Sequence, residues 1–293
     1  MKFYANLHTH STHSDGVYSP RELVKIAKAE GYQALAITDH DTASAFPELE
    51  KACKEEELEC IFGVEFSVYD PKPYHIVGFD FDPEYPEMKK YLSEMAERQT
   101  DNTKKCFDMA VSNGGILGIT WEEVLVYNSG IPWLCNNHVY NAMIEKGLVK
   151  QENYMQWFME NFEKQRNLFP PCYDFKPLGE LIELIKAAGG FAIVAHPHNC
   201  LDDMDELISL GIVGLEVFHP DLTEEEKDRA LKIALEKGLF ISGGSDHSGL
   251  CGGFYNSYPS EDELKKSYHY IPELSAGTTK EYFKEIKTRK ITR

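Results

Sequence analysis

Short apolar runs alternate along this chain with stretches of helical periodicity, and nearly every run meets a histidine or an acidic residue at an end. The runs are Phe3–Leu7, Gln33–Ile37, Cys60–Val64, His75–Phe79, Phe191–Ala195, Ile212–Val217 and Leu239–Ser242. Unbroken apolar runs of this length suit buried parallel strands, whose two faces are both covered. Helices are predicted between them. One opens at Ser19-Pro20 and closes at Gly31, and one covers Pro47–Glu57. Another covers Leu178–Ala188 before Gly189-Gly190, and a fourth runs from Thr223 to Lys237 with Glu224, Glu225 and Glu226 in its first turn. Strand then helix, repeated, predicts a parallel α/β architecture with a barrel as its expected form. Such folds gather their sites at one end of the strands.

The alternation stops between Glu84 and Pro171. This polar, aromatic and helix-like stretch is read as an inserted helical subdomain, residues 84–171, a candidate cap over the substrate. It leaves 1–83 and 172–293 to form the barrel. Tyr154, Trp157, Phe158 and Phe162 fall near helical spacing and are expected in the subdomain's core. Pro170-Pro171 marks its end.

The strand ends carry the chemistry. His8 and His10 are two residues apart after an apolar run, so in a strand both rings point to one face. Asp15 follows, and Gly16 permits a sharp turn. Imidazoles and carboxylates are the usual ligands of catalytic divalent metals. One histidine beside a strand is usually structural. The set of His8, His10, Asp15, His40, Glu65, His75, His196, Asp246 and His247 points instead to a multinuclear site. His13 and His269 are read as loop and surface residues.

Composition bounds the substrate. A formal net charge of -18 repels long polyanions, so no extended nucleic-acid groove is expected. A small phosphorylated substrate stays open, because bound cations reverse the field locally. The seven cysteines are scattered without a Cys-x-x-Cys pair, which predicts reduced thiols. Cys251 is read as a small buried residue. No apolar run is long enough for a bilayer and no signal-peptide pattern opens the chain, so a cytoplasmic protein without membrane contact is expected.

The motifs His8-Thr9-His10-Ser11 with Ser14-Asp15-Gly16, Ile37-Thr38-Asp39-His40-Asp41-Thr42, Gly63-Val64-Glu65-Phe66-Ser67, Ala195-His196-Pro197 and Gly243-Gly244-Ser245-Asp246 resemble those of the PHP (polymerase and histidinol phosphatase) family. The likeness covers most of the chain. The insert resembles the branch of small phosphoesterases that act on nucleotides. The resemblance implies a distorted seven-stranded (β/α) barrel and two or three divalent ions, Mn, Zn or Fe. It implies that His8, His10, Glu65 and Asp246 hold one ion. Glu65, His75 and His196 would hold a second, and Asp15 and His40 would begin a third. The family often closes that third site with a histidine two residues after the last aspartate. Here that place is Ser248, and His247 comes one residue early.

The implied reaction is hydrolysis of a nucleotide phosphomonoester by a metal-bridging hydroxide. His219 and His198 are candidate acids for the leaving group. Arg98 and His138 are candidate phosphate clamps. Relatives tend to carry arginine where Asn136-Asn137 precede His138, and a basic residue near His198-Asn199, so a substrate with two phosphates is less expected here. Asp39 is expected to fix a neighbouring tautomer or to make a strand-end hydrogen bond. The competing readings are a histidinol-phosphate phosphatase and a non-catalytic metal-binding or partner-binding module.

Overall fold

The computed structural model describes residues 3–150, 153–163, 175–246 and 276–292. His247, Ser248, Cys251, His269 and Pro170-Pro171 lie outside the described residues. Among the described residues eight strands form two open sheets. The first is wholly parallel: β1 (Ala5–Asn6), β2 (Ala34–Leu35) and β3 (Glu59–Cys60). The second runs in chain order through β4 (Gly63–Tyr69), β5 (Pro73–Phe79), β6 (Phe191–Val194), β7 (Gly214–Phe218) and β8 (Phe240–Gly243). Its first two pairings are antiparallel and its last two parallel.

Two expectations need correction. The apolar run Cys60–Val64 is not one strand: it breaks at Ile61-Phe62 into β3 and β4, so Glu65 lies inside β4 rather than past a strand end. The sheet is also not wholly parallel, because β4 and β5 form a hairpin across Asp70-Pro71-Lys72. Pro71 cannot donate to a ladder, and turn residues crowd this short connection.

The helices follow from local signals. α1 (Pro20–Ala29) starts with a capping box, in which Ser19 and Glu22 satisfy each other's backbone N–H groups. α2 (Phe46–Glu56) packs with α1 over the three-stranded sheet, burying Leu23, Val24, Leu49 and Ala52. α3 (Pro86–Ser112) has 27 residues and is therefore about 40 Å long. Its first half, with Met88, Tyr91, Leu92 and Met95, joins the core against the five-stranded sheet. Its second half, with Cys106, Phe107 and Ala110, joins a separate core with α4 (Trp121–Tyr127), α5 (Asn136–Glu145) and α6 (Tyr154–Phe158). Tyr154, Trp157 and Phe162 are buried in that second core, and Phe158 packs against it.

Four more helices follow among the described residues. They are α7 (Leu178–Ala187), α8 (Met204–Leu210), α9 (Glu224–Lys237) and α10 (Lys280–Thr288). Leu181, Ile182 and Ile185 of α7 and Ala230 and Ala234 of α9 cover the outer face of the five-stranded sheet. Between the sheets, Ala5, Leu7, Ala34, Val77, Phe79, Ile193 and Phe240 form one core. Each fully buried side chain of Leu7 or Ile193 size contributes about 1.5–3 kcal/mol. Among the described residues no helix is long and apolar enough to cross a membrane.

Candidate metal centre

The β1 and β8 tips set the first two histidines. Asn6 is fully buried; its amide donates to Ser245 Oγ at 2.8 Å, and its Oδ1 accepts from the Ser245 N–H at 3.0 Å. The Asp246 N–H donates to the His8 carbonyl at 2.9 Å. A side chain at Gly244 would place its Cβ 2.3 Å from the His8 backbone nitrogen, so only glycine lets the two tips approach this closely. His8 and His10 then face one point, with their Nε2 atoms 3.2 Å apart.

Glu65 is fully buried at the centre of the cluster. Its Oε2 lies 3.2 Å from His8 Nε2, His10 Nε2 and His40 Nδ1. Its Oε1 lies 2.9 Å from both His75 Nδ1 and His196 Nε2, which are 3.1 Å apart. Asp246 Oδ1 closes the first group, 2.9 Å from His10 Nε2 and 3.5 Å from His8 Nε2. Asp15 Oδ1 is 3.4 Å from His10 Nδ1, and the rings of His10 and His40 stack at 4.5 Å.

Donor atoms bonded to one ion at about 2.1 Å stand roughly 3.0–3.4 Å from one another in octahedral or tetrahedral arrangements. The separations around Glu65 match that spacing. Glu65 Oε2 and His40 Nδ1 are buried and lack any partner with hydrogen-bond geometry despite their close approach. Buried polar atoms are normally satisfied. Atoms that converge without bonding each other fit a shared cation. Among the described residues four groups have the required convergence: His8, His10, Glu65 and Asp246; His40, Glu65 and His75; His10, Asp15 and His40; and His8, Glu216 and His219.

The electrostatics agree. Burial opposes charge on His8 and His10, but the surrounding carboxylates hold both pKa values well above the ordinary value. Burial also opposes charge on Glu65, yet His8, His75 and His40 hold it well below the carboxylate range. Asp246 is held low by His8, His10 and His219 against the same burial penalty. Burial pulls His40 down. Carboxylates and imidazoles here stabilise each other's charged forms, a balance that a bound cation would take over from the histidine protons. Three residues at the site adopt positive φ without being glycine: Asp41 at 49°, His196 at 26° and Asp246 at 52°. Strained backbone of this kind persists where surrounding contacts over-determine it.

Several residues do something other than expected. His138 is buried, and its Nδ1 accepts from the Cys135 N–H at 2.9 Å. Its Nε2 therefore carries the proton, donated to the Thr12 carbonyl at 3.0 Å. Burial pulls its pKa down to about 4. A neutral ring with both nitrogens occupied has nothing to offer a phosphate, which corrects the clamp assignment. Arg98 lies part-buried on α3 within electrostatic reach of Tyr91 and does not line the central cavity. Asp39 serves the first loop. Its carboxylate accepts from Ser11 N–H at 2.7 Å, Ser11 Oγ at 2.6 Å and Ser14 Oγ at 2.6 Å, and so holds the loop that carries Asp15. His13 bonds Ser44 Oγ at 2.7 Å in that loop.

His219 is buried, accepts from the Asp221 N–H at 3.2 Å, and turns its Nε2 toward Asp246 Oδ2 at 3.6 Å. His198 is exposed and lines a cavity of about 310 Å³ with His40, Glu65, His75, His196 and Asp246. Glu216 went unnoticed in the sequence. It is fully buried, takes His8 Nδ1 at 2.9 Å on one oxygen and the His196 N–H at 2.8 Å on the other. A charged residue inside the apolar run Ile212–Val217 was the available signal.

Residues 6–168 match the PHP domain model. The chain belongs to the PHP family. Among PHP relatives, a 5'-3' exoribonuclease of Haemophilus influenzae is 34% identical over 261 residues, 84% of this chain and 90% of that one. A 3',5'-nucleoside bisphosphate phosphatase of Chromobacterium violaceum is 26% identical, covering 82% of this chain and 86% of its own. A crystal structure from Bifidobacterium adolescentis, described as a candidate metal-dependent phosphoesterase, superposes with a TM-score of 0.77 at 26% identity. It covers 99% of this chain and 97% of that one.

Proposed function

We propose that this PHP protein is a metal-dependent phosphoesterase that hydrolyses a phosphomonoester of a nucleotide: a nucleoside mono- or bisphosphate, or the end of a short oligonucleotide. The convergence on Glu65 carries the proposal. His8, His10, Glu65 and Asp246 would hold one divalent ion, Glu65, His75 and His196 a second, and Asp15 and His40 would begin a third. Mixed imidazole and carboxylate ligands suit Mn, Zn or Fe. Such ions lower the pKa of a bound water toward neutrality and offset charge on phosphate oxygens.

The protein's own groups do the rest. Glu65 and Asp246 supply the carboxylate oxygens for cations, and Glu216 keeps the His8 Nε2 lone pair aimed inward. The cavity of about 310 Å³ suits a small ester, and the likeness to an exoribonuclease and to a nucleoside bisphosphate phosphatase supports a nucleotide. Residues 84–171 are proposed as a unit set on a barrel of 1–83 and 172–293. The Leu7 N–H bonded to the Gly243 carbonyl at 3.2 Å and the His40–Glu65 bridge support reading the two sheets as halves of one distorted barrel. The buried free thiols of Cys53, Cys106, Cys135 and Cys200 support a reducing, cytoplasmic setting.

The test is release of phosphate from AMP, adenosine 3',5'-bisphosphate, a 5'-phosphorylated RNA oligomer and histidinol phosphate, after EDTA stripping and Mn reloading. Nucleotide turnover should vanish on stripping and return with Mn, with kcat/KM at least about tenfold above histidinol phosphate. A metal-loaded protein inert to every nucleotide, or one that prefers histidinol phosphate, sinks the reading.

His198 is the proposed proton donor to the leaving group, because it reaches the cavity from its rim whereas His219 is enclosed behind Asp246. His198→Gln should lower kcat on a nucleotide roughly 10²-fold and on p-nitrophenyl phosphate far less, since that leaving group needs no proton. Equal losses on both substrates would remove His198 from this role.

A further inference from the structure

The segment between α4 and α5 is built into the metal centre. α3 holds it: Thr100 Oγ1 donates to the Pro132 carbonyl at 3.1 Å and accepts from the Leu134 N–H at 3.0 Å, and Thr103 Oγ1 donates to the Leu134 carbonyl at 2.8 Å. So anchored, the segment lays the Trp133 ring nearly parallel to the His40 ring, with 6.2 Å between centroids and 25° between planes. Trp133 is only 6% exposed and packs with Ala96 and Cys135. It completes a ladder of His10, His40 and Trp133. The start of α5 then grips the loop that bears Asp15. His138 Nε2 donates to the Thr12 carbonyl, Cys135 Sγ to the Ser14 carbonyl at 3.8 Å, and Asn137 to the Asp15 carbonyl. Asn136 is spent on Asn137 and on the Tyr154 hydroxyl. Three side chains of this segment, Cys135, Asn137 and His138, thus bond backbone carbonyls between Thr12 and Asp15.

We propose that residues 132–138 form a strap that sets the affinity of the third site, begun by Asp15 and His40, for a divalent ion, with Trp133 the positioning residue for His40 and His138 the positioning residue for the Asp15 loop. Asp39 clamps that loop from the barrel side through Ser11 and Ser14. The strap supplies the opposing clamp, and only with both is the Asp15 loop held in place beside His40. A coordinating carboxylate on an unclamped loop loses affinity through the entropy of ordering it on binding. The helical insert thus serves the metal centre from behind, in addition to any contact with substrate.

This inference rests on the proposed function only in requiring divalent ions, and its test involves no substrate. Metal-free protein is titrated with Mn²⁺, free ion being followed by its EPR signal. The wild type should show a class of sites that Asp15→Ala abolishes. Trp133→Ala and His138→Ala should weaken that class at least about tenfold while leaving the Glu65-dependent sites within about threefold of wild type. Trp133→Phe, which keeps a ring plane, and His138→Gln, which can still both accept and donate at this position of a capping box, should restore most of the affinity. If an alanine variant does not fold, as judged by circular dichroism, Trp133→Leu carries the test by keeping apolar volume without the plane. The absence of any Asp15-dependent class, unchanged binding in the folded variants, or equal weakening of all classes overturns the proposal.

Discussion

Glu65→Gln will lower kcat/KM by at least about 10³-fold, roughly 4 kcal/mol of transition-state stabilisation, and will strip the bound metal. Five histidines face this one carboxylate: His8, His10 and His40 on Oε2, His75 and His196 on Oε1. Glutamine keeps the volume but has one acceptor oxygen and no charge, so it can serve one side of the cluster only. Its NH₂ group would point at ring nitrogens that must stay free for an ion. The metal-free protein gives an independent signature. Glu65 has a folded pKa well below its unfolded value, so the unfolded state binds more protons as pH falls through the carboxylate range. Its stabilising contribution is present above about pH 4.5 and is lost below it. Metal-free Glu65→Gln should therefore show a shallower loss of stability in acid than the wild type. Wild-type turnover by a folded Glu65→Gln protein would remove the carboxylate from the centre of the account.

Glu216→Gln will weaken metal binding by roughly 10–100-fold, with kcat/KM falling by about 1.4–2.7 kcal/mol. Glu216 never reaches the cavity, so its effect must pass through His8 and His196. Both of its partners are donors: His8 Nδ1–H at 2.9 Å and the His196 N–H at 2.8 Å. A carboxylate accepts from both, whereas a glutamine must turn its NH₂ toward one of them. The choice lies between an inverted His8 tautomer, which withdraws the Nε2 lone pair from the ion, and an unsatisfied N–H at His196, whose backbone already sits at a φ of 26°. Either outcome lowers metal affinity while the core around β7 stays apolar and packed. Competition against a chelating indicator measures it. An unchanged affinity in Glu216→Gln would show that His8 needs no such partner.

The sequence exposed the converging histidines and carboxylates better than it exposed their frame. His8 and His10 were legible because a two-residue spacing after an apolar run leaves little freedom in where the rings point. Glu65, His75, His196 and Asp246 were legible as chemistry at the edges of apolar runs, with the family likeness ordering them into groups. The strand break at Ile61-Phe62 was not, because hydrophobicity is the same on both sides of it. The β4–β5 hairpin announced itself only through Asp70-Pro71-Lys72-Pro73, whose weight is easily missed beside the stronger apolar signal. Glu216 was visible as a charge in a buried run and was passed over as part of the strand. The contacts of Trp133 and His138 with residues 12–40 span about a hundred positions of chain, and no local periodicity encodes pairings at that separation. His138 misled for the same reason: a histidine in a family position reads as a ligand until its burial and both of its partners are known.

The central claim is that one buried carboxylate joins separate strand tips into an ion-holding pocket. Anomalous diffraction from crystals loaded with Mn²⁺ tests it most directly. The account predicts one peak among His8, His10, Glu65 and Asp246 and another among Glu65, His75 and His196, both absent from Glu65→Gln crystals. Peaks that bypass Glu65, or an empty pocket in crystals whose Mn²⁺ binds elsewhere, would contradict it.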